Sequence, residues 1–372
     1  MSADLPRAIC DWSVPLRDTL RKYAGMRARG LRVGVHPVNT ARTVYGTYPI
    51  QRRIIVFLSP LAGGKRMKDY DLAALGEPML EFNQTVAGEP NYRQGFGGDT
   101  SNAVIAAARQ GARCVYLTRV GKDAFGDELR ALWQRESVDP SGVVTDPHAP
   151  TGIYFVSHGA AGHTFSYLRA GSAASRMQPE DLAHGLIERA RFLHVSAISQ
   201  AISVSACDTV FAALARARDA GTLVSYDSNL RLRLWSIERA RAALRETLSS
   251  VDWFLPSLED MRTLTGLAEP AAILDWSQRA GATRIVLKLG AAGALLDDGA
   301  QRLVLAPHRV NAVDATGAGD CFAGNFLARL IAGDTPAAAV RWANVAAALA
   351  TTGFGAVDPL PRAEQVRAVL AG

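Results

Sequence analysis

From Met67 onward the chain alternates short apolar runs with helical segments, and this alternation constrains its fold more than any other feature. Strand-like runs cover 114–120, 192–195, 222–227, 251–255 and 284–289; helical stretches beginning near Asp123 and Ser203 fall between them, and another begins at Thr335. A helix set between two strands of one sheet makes those strands parallel and places the helices on the sheet faces. The pattern predicts an α/β fold of three layers with a mostly parallel central sheet. In such a sheet, ligands gather at the carboxyl ends of the strands.

Two runs depart from the alternation. Residues 151–156 (TGIYFV) and 163–168 (HTFSYL) flank a short segment containing Gly159 and Gly162, which predicts a β-hairpin set into the α/β pattern. A hairpin near 151–169 suits a small β-lid over a site, with Tyr154, Tyr167 and Arg169 turned inward. An edge hairpin with ordinary aromatic cross-strand pairs is the competing reading. An exposed lid edge points to a homodimer or higher homo-oligomer.

The chain's 372 residues and 48% hydrophobic content are enough for one large core. No apolar run reaches the ~20 residues that span a bilayer, so a cytoplasmic protein without a membrane partner is expected. Cys10, Cys114, Cys207 and Cys321 lack both CxxC and Cys/His ligand spacing, and are read as small buried residues in a reducing compartment. Residues 1–66 hold twelve Lys/Arg, three Asp and no Glu, so they carry +9 of a chain whose net charge is +6. The remainder is acidic at −3, and no nucleic-acid surface is expected on it.

That basic stretch shows no sustained strand or helix period and is broken by Pro6, Pro15, Pro37, Pro49 and Pro60. An upstream region read from an early start codon, a targeting peptide and a basic tail for nucleic acid or membrane compete to explain it. The first is preferred, because Gly63, Gly64, Lys65 and Arg66 can be encoded by purine-rich codons like those of a ribosome-binding site ahead of Met67. The expected partition is therefore 1–66 outside the fold and 67–372 as one catalytic domain.

The densest chemistry lies in residues 313–330, VDATGAGDCFAGNFLARL. Gly317 and Gly319 permit a tight turn, and the following helix leaves its first amides without intrahelical partners, which suits a phosphate. Asp320 beside an anion hole is justified only if it takes a proton, as a general base for a hydroxyl does. The competing reading makes Asp314 and Asp320 ordinary caps and the glycines a plain turn. A second glycine element, with Gly95, Gly97 and Gly98, precedes another helix. Past the strand over 222–227 come Asp227, Asn229, Arg231 and Arg233, at the edge where ligands bind in parallel sheets. There is no GxxxxGK[ST] and no GxGxxG after the first strand, which disfavours a Walker ATPase and a nicotinamide enzyme.

Together, GGDTSNAVIAAARQGARCVYLTRVGKDAFG and DATGAGDCFAGNF resemble the two signatures of the ribokinase-like (PfkB) carbohydrate kinases, in order and spacing. The resemblance spans essentially all of residues 67–372. Within the family, ALGEPMLEFN, TGIYF, YLRAGSAASR and HVSAISQAIS look most like members that act on a six-carbon 2-keto-3-deoxy sugar acid. The resemblance implies transfer of the γ-phosphoryl group of ATP, with Mg²⁺, to a terminal hydroxyl. Asp320 is then the base, and Gly317, Ala318 and Gly319 hold the transferring phosphoryl group. Gly98 and Asn102 contact the sugar under Tyr154, Tyr167 and Arg169. Arg231 bridges sugar and phosphate, and Asn229, Lys288, Gly290, Gly293 and Asn344 border the nucleotide. A carboxylate substrate suits arginine and tyrosine donors.

One departure concerns the metal. Many relatives carry Asn-x-x-Glu where this chain has Ser257, Leu258 and Glu259, so Glu259 is expected to reach Mg²⁺ through water without the asparagine. Another sugar kinase of the family, such as a fructokinase or ribokinase, is the nearest alternative. A non-catalytic sugar- or nucleic-acid-binding protein is the rival from a different class.

Overall fold

The computed structural model describes residues 31–37, 54–60, 68–159, 162–183 and 185–372. The chain divides into two units, Met1–Met67 and Lys68–Gly372. In the first, β1 (Leu31–Pro37) and β2 (Ile54–Pro60) pair antiparallel, with Leu31 opposite Pro60. Two short strands thus form in a stretch that shows no sustained strand period. Pro37 and Pro60 are the last residues of the two strands, so they end short apolar runs instead of interrupting them. Cys10, Pro6, Pro15, Pro49 and residues 63–66 lie outside the described residues.

The second unit begins with β3 (Tyr70–Leu75), β4 (Met79–Gln84), β5 (Tyr92–Gly97) and α1 (Asp99–Ala108). Next come β6 (Cys114–Gly121), α2 (Ala124–Arg135), β7 (Val138–Asp146), β8 (Ile153–Gly159) and β9 (Gly162–Leu168). The alternation resumes with β10 (Ala190–Ser196), α3 (Ala197–Ala201), α4 (Val204–Ala220), β11 (Leu223–Asp227), α5 (Ile237–Leu248) and β12 (Trp253–Phe254). It continues through α6 (Leu258–Thr265), α7 (Pro270–Arg279), β13 (Ile285–Lys288), β14 (Ala294–Asp297) and β15 (Arg302–Leu305). Three helices close the chain: α8 (Ala318–Ile331), α9 (Pro336–Ala350) and α10 (Ala363–Ala371).

Nine strands form the central sheet in the order β15-β14-β13-β12-β11-β10-β3-β6-β7. From β7 to β13 every pair is parallel; β14 and β15 add an antiparallel edge. The parallel strands are covered on both faces, which is why β3 and β6 read as apolar runs without alternation. One core cluster joins Leu72, Tyr116 and Val286 to Phe326 of α8 and Ala343 of α9. The other joins Leu193, Tyr226 and Ile285 to Leu214 of α4, Leu244 of α5 and Met261 of α6. These are the three predicted layers. Cys114, Cys207 and Cys321 are buried free thiols.

The expected hairpin is β8–β9, and it is half of a separate four-stranded sheet, β5-β4-β8-β9. Residues 67–82 form a polar tip and an apolar run that looks like a single buried strand. The structure breaks it at Gly76, Glu77 and Pro78, giving β3 to the central sheet and β4 to the lid. The lid thus leaves from the carboxyl end of β3 and returns through Gly98. That residue has φ +106°, and a Cβ on it would lie 2.3 Å from the Glu77 carbonyl oxygen, so only glycine lets the two crossing segments touch.

Candidate active site

The first turn of α8 starts from Gly317 as N-cap, and its intrahelical bonds begin where the Cys321 amide donates to Gly317 at 2.8 Å. The Ala318 amide, expected in the anion hole, is bonded to the Ala315 carbonyl at 3.2 Å. Gly319 and Asp320 therefore supply the first-turn amides that precede the ladder. Helix α1 crosses α8 closely, because a Cβ on Gly324 would lie 2.1 Å from the Ala103 carbonyl oxygen. That crossing brings Asn102 Nδ2 to Asp320 Oδ2 at 2.8 Å.

Around this pair the strand ends deliver charge. Asp99, the first residue of α1, accepts from Asn229 Nδ2 at 3.0 Å through Oδ2, while its buried Oδ1 has no hydrogen-bond partner. Asp227, at the end of β11, pairs with Lys288, at the end of β13, at 2.5 Å. Lys288 Nζ also lies 3.4 Å from where a Cβ on Gly319 would sit, so the one ammonium stands beside the α8 turn. Desolvation, then the Asp99 carboxylate, pushes Asp320 up to about 8, against the Asn102 bond and Lys288, which oppose the shift. Burial also raises Asp227, with Lys288 opposing. His194 of β10 is buried and pushed down to about 4, so it is a neutral imidazole beside Ser225.

Glu259, expected near the metal, and its neighbour Asp260 stand in different surroundings. Glu259 is exposed, whereas Asp260 accepts from Ser228 Oγ at 2.7 Å and acts on Asp227. Ser257 caps α6 by accepting from the Asp260 amide at 3.1 Å. At the edge expected to border the nucleotide, Gly290 opens a 3₁₀ turn and a Cβ on Gly293 would meet the Leu305 carbonyl oxygen at 2.2 Å. Asn344 fastens the same edge by donating to Ala306 at 2.9 Å. Arg231 is exposed on the loop after β11, with its guanidinium on the Leu230 carbonyl at 2.9 Å.

The lid brings its three expected residues together. Tyr154 is buried, Tyr167 is 38% exposed, and their ring centroids are 5.7 Å apart. The Arg169 guanidinium lies 5.5 Å from the Tyr167 centroid, a cation–π distance. Arg169 is not free, however: it grips Glu77, with Nε at 2.8 Å, and Ser172 Oγ donates to the same carboxylate at 2.6 Å. The Tyr154 hydroxyl donates to Glu81. Arg233, on the loop after β11, reaches the Phe165 carbonyl of β9 at 3.3 Å and ties that loop to the lid.

Sequence reasoning missed Asp99, Asp260, Glu77, Glu81 and His194. Some signals were present. Glu77 and Glu81 are lone charges inside an apolar run, and Asp260 stands three residues after a capping serine. Asp99 lies between two residues that were singled out, Gly98 and Asn102.

The chain is 34% identical to a 2-dehydro-3-deoxygluconokinase of Thermoproteus tenax, over 80% of this chain and 94% of that protein. It is 30% identical to a probable fructokinase-4 of Arabidopsis thaliana, over 81% of this chain and 97% of that one. Among solved structures, a fructokinase from Vibrio cholerae O395 in a form holding fructose, ADP and calcium ion superposes with a TM-score of 0.73 at 30% identity. That match covers 80% of this chain and 98% of the fructokinase. Residues 69–363 match the family described as pfkB family carbohydrate kinase, and the chain belongs to that family.

Proposed function

We propose that the protein transfers the γ-phosphoryl group of ATP to the terminal hydroxyl of 2-keto-3-deoxygluconate, with Asp320 as the general base. The observation that carries this reading is the placement of Asp320 on the open first turn of α8, held by Asn102. A carboxyl raised toward neutrality is matched to accepting a hydroxyl proton. The Gly319 and Asp320 amides and the positive end of α8 face the transferring group, and Lys288 adds a fixed positive charge beside them. Asn229, Arg231, Gly290, Gly293 and Asn344 border the nucleotide.

Mg²⁺ fits the residues present. Asp99 keeps a buried, unpartnered oxygen, and the single Lys288 stands among Asp99, Asp227 and Asp320. Among the described residues no three acidic, histidine or cysteine side chains converge as direct ligands, so Asp260 and Asp227 would hold the ion through water. When bound, Mg²⁺ neutralises phosphate charge in the transfer.

The two lid tyrosines, with Arg169 beside Tyr167 though bound to Glu77, support a sugar acid, because hydroxyl donors and a nearby positive charge suit a carboxylate that a neutral ketose lacks. Fructose is the second reading, favoured by two buried lid acids, Glu77 and Glu81, that suit hydroxyl donors. Ranking kcat/KM for 2-keto-3-deoxygluconate, fructose and ribose tests the choice, and preference for a neutral sugar would overturn it. Residues 67–372 form the kinase unit in this proposal, so a variant starting at Met67 should keep full activity and need no nucleic acid. A cytoplasmic homo-oligomer is part of the same reading, checked by light scattering and fractionation.

A further inference from the structure

A sugar acid of the kind proposed above brings its carboxylate under a lid that already holds buried carboxylates. Glu81 of β4 is 2% exposed, and the register sets it opposite Tyr154 of β8 and Gly95 of β5. Among the described residues its hydrogen-bond partners are neutral: the Tyr154 hydroxyl on Oε2, and Asn83 Nδ2 at 3.4 Å from Oε1. The charges that face it from neighbouring elements are acidic, Asp314 ahead of α8 and Asp358 beyond α9. Arg93 of β5 is spent on Asp358 at 2.8 Å, and His158 of β8 is bonded to Asn83 Oδ1 at 2.8 Å. Burial raises the Glu81 carboxyl above its ordinary range. A cavity of about 380 Å³, lined by Glu81, Asn83, Arg93, His158 and Phe354 among others, gives water a route to it.

A phenol has one O–H to donate. While Glu81 is charged, that hydrogen belongs to Glu81, and Tyr154 shows the site only a lone pair, which repels a carboxylate. Protonation of Glu81 reverses the bond. Glu81 then donates to the phenol oxygen, and the Tyr154 hydrogen is released for an incoming carboxylate. The need is sharpened by Arg169, which is committed to Glu77.

We propose that Glu81 is a specificity-determining positioning residue, and that binding of the sugar acid takes up a proton from solvent onto Glu81, turning Tyr154 from acceptor to donor. No bond to carbon changes; one proton leaves the solvent, and the Tyr154 hydrogen passes from Glu81 to the substrate carboxylate. A neutral ketose accepts and donates through hydroxyls and binds without the exchange.

Titration calorimetry of the full chain with 2-keto-3-deoxygluconate, run at pH 8 in Hepes and in Tris, reads the uptake from the difference in apparent enthalpy. The expected result is about one proton per site, with a KM that rises as pH rises. In Glu81→Gln the amide donates to the Tyr154 oxygen without a proton, so uptake should vanish and KM should lose its rise while the acid still binds. Should Glu81→Gln fail to fold, the wild-type titrations with the acid and with fructose decide alone. Acid binding without buffer dependence, or equal uptake in Glu81→Gln, overturns the inference and leaves the substrate reading standing. Binding of fructose and not the acid overturns both.

Discussion

The two walls of the site are built differently. On the floor, α1 and α8 cross over the main core at Gly324, and each charged group takes its partner from another element: Asp320 from α1, Asp99 from the loop after β11, Asp227 from β13. The lid rests on a small cluster of Met79, Tyr154 and Val156, with Phe165 packed against it. Its polar groups also pair across elements, but in separate sets, Glu77 with Arg169 and Ser172, and Glu81 with Tyr154. The floor is fixed where the two helices meet backbone to backbone at Gly324. The lid rests on a smaller cluster, and in the proposed reading the floor carries the reaction and the lid the choice of substrate.

The largest effect should come from the floor. Asp320→Asn keeps the Asn102 contact but cannot take a proton, and turnover should fall by roughly 10²–10⁴ while ATP binding, measured by titration, holds. Near-normal turnover would break the comparison at its strongest point. Next is Lys288→Met, which leaves Asp227 buried without its cation. Breaking such a pair costs about 3–5 kcal/mol of stability, readable by chemical denaturation, and ATP binding should weaken with it.

These floor residues differ in how legible they were. Gly317, Asp320, Gly98 and Asn102 stand in contiguous motifs, and the chemistry of a helix N-terminus is local enough to read from sequence. The Asp227–Lys288 pair joins residues 61 positions apart, and only the strand order brings their ends together. Asp260 was not singled out, although the Asn-x-x-Glu spacing counted from Ser257 ends on it; its bond to Ser228 joins residues 32 positions apart. The lid was half legible. Its β8–β9 hairpin is local, but β4 and β5 join it through a change of sheet at Gly76–Pro78, hidden within an apolar run. Glu81 and Tyr154 lie 73 residues apart, so their bond is a fact of register and not of sequence.

A substitution on the lid should behave otherwise. Arg169→Lys keeps a positive charge near Glu77 but loses the fork that grips it. KM for the sugar acid should rise on the order of tenfold, the worth of one charged hydrogen bond of about 1.5 kcal/mol, with kcat little changed. An equal fall in kcat would place Arg169 in the floor's work and blur the division.

The smallest effect is also the sharpest test, because pH acts on the two walls in opposite senses. Asp320 stands at about 8 in the folded chain, against about 3.9 for an unfolded aspartate. Between those values the folded state keeps a proton that the unfolded state has released, so its contribution to stability is full below about pH 4 and is lost as pH rises through about 8. Asparagine has no proton to lose. Asp320→Asn should match the wild type in Tm near pH 4 and exceed it by a few degrees at pH 8. Turnover of the wild type should climb over the same interval, since the base works only when deprotonated. On the lid, acid binding favours protonated Glu81, so KM climbs as well. The profile of kcat/KM for the sugar acid should therefore be a bell, with a rising limb from the floor and a falling limb from the lid. Glu81→Gln should remove the falling limb and leave the rising one. A bell that survives in Glu81→Gln would mean that both limbs belong to the floor.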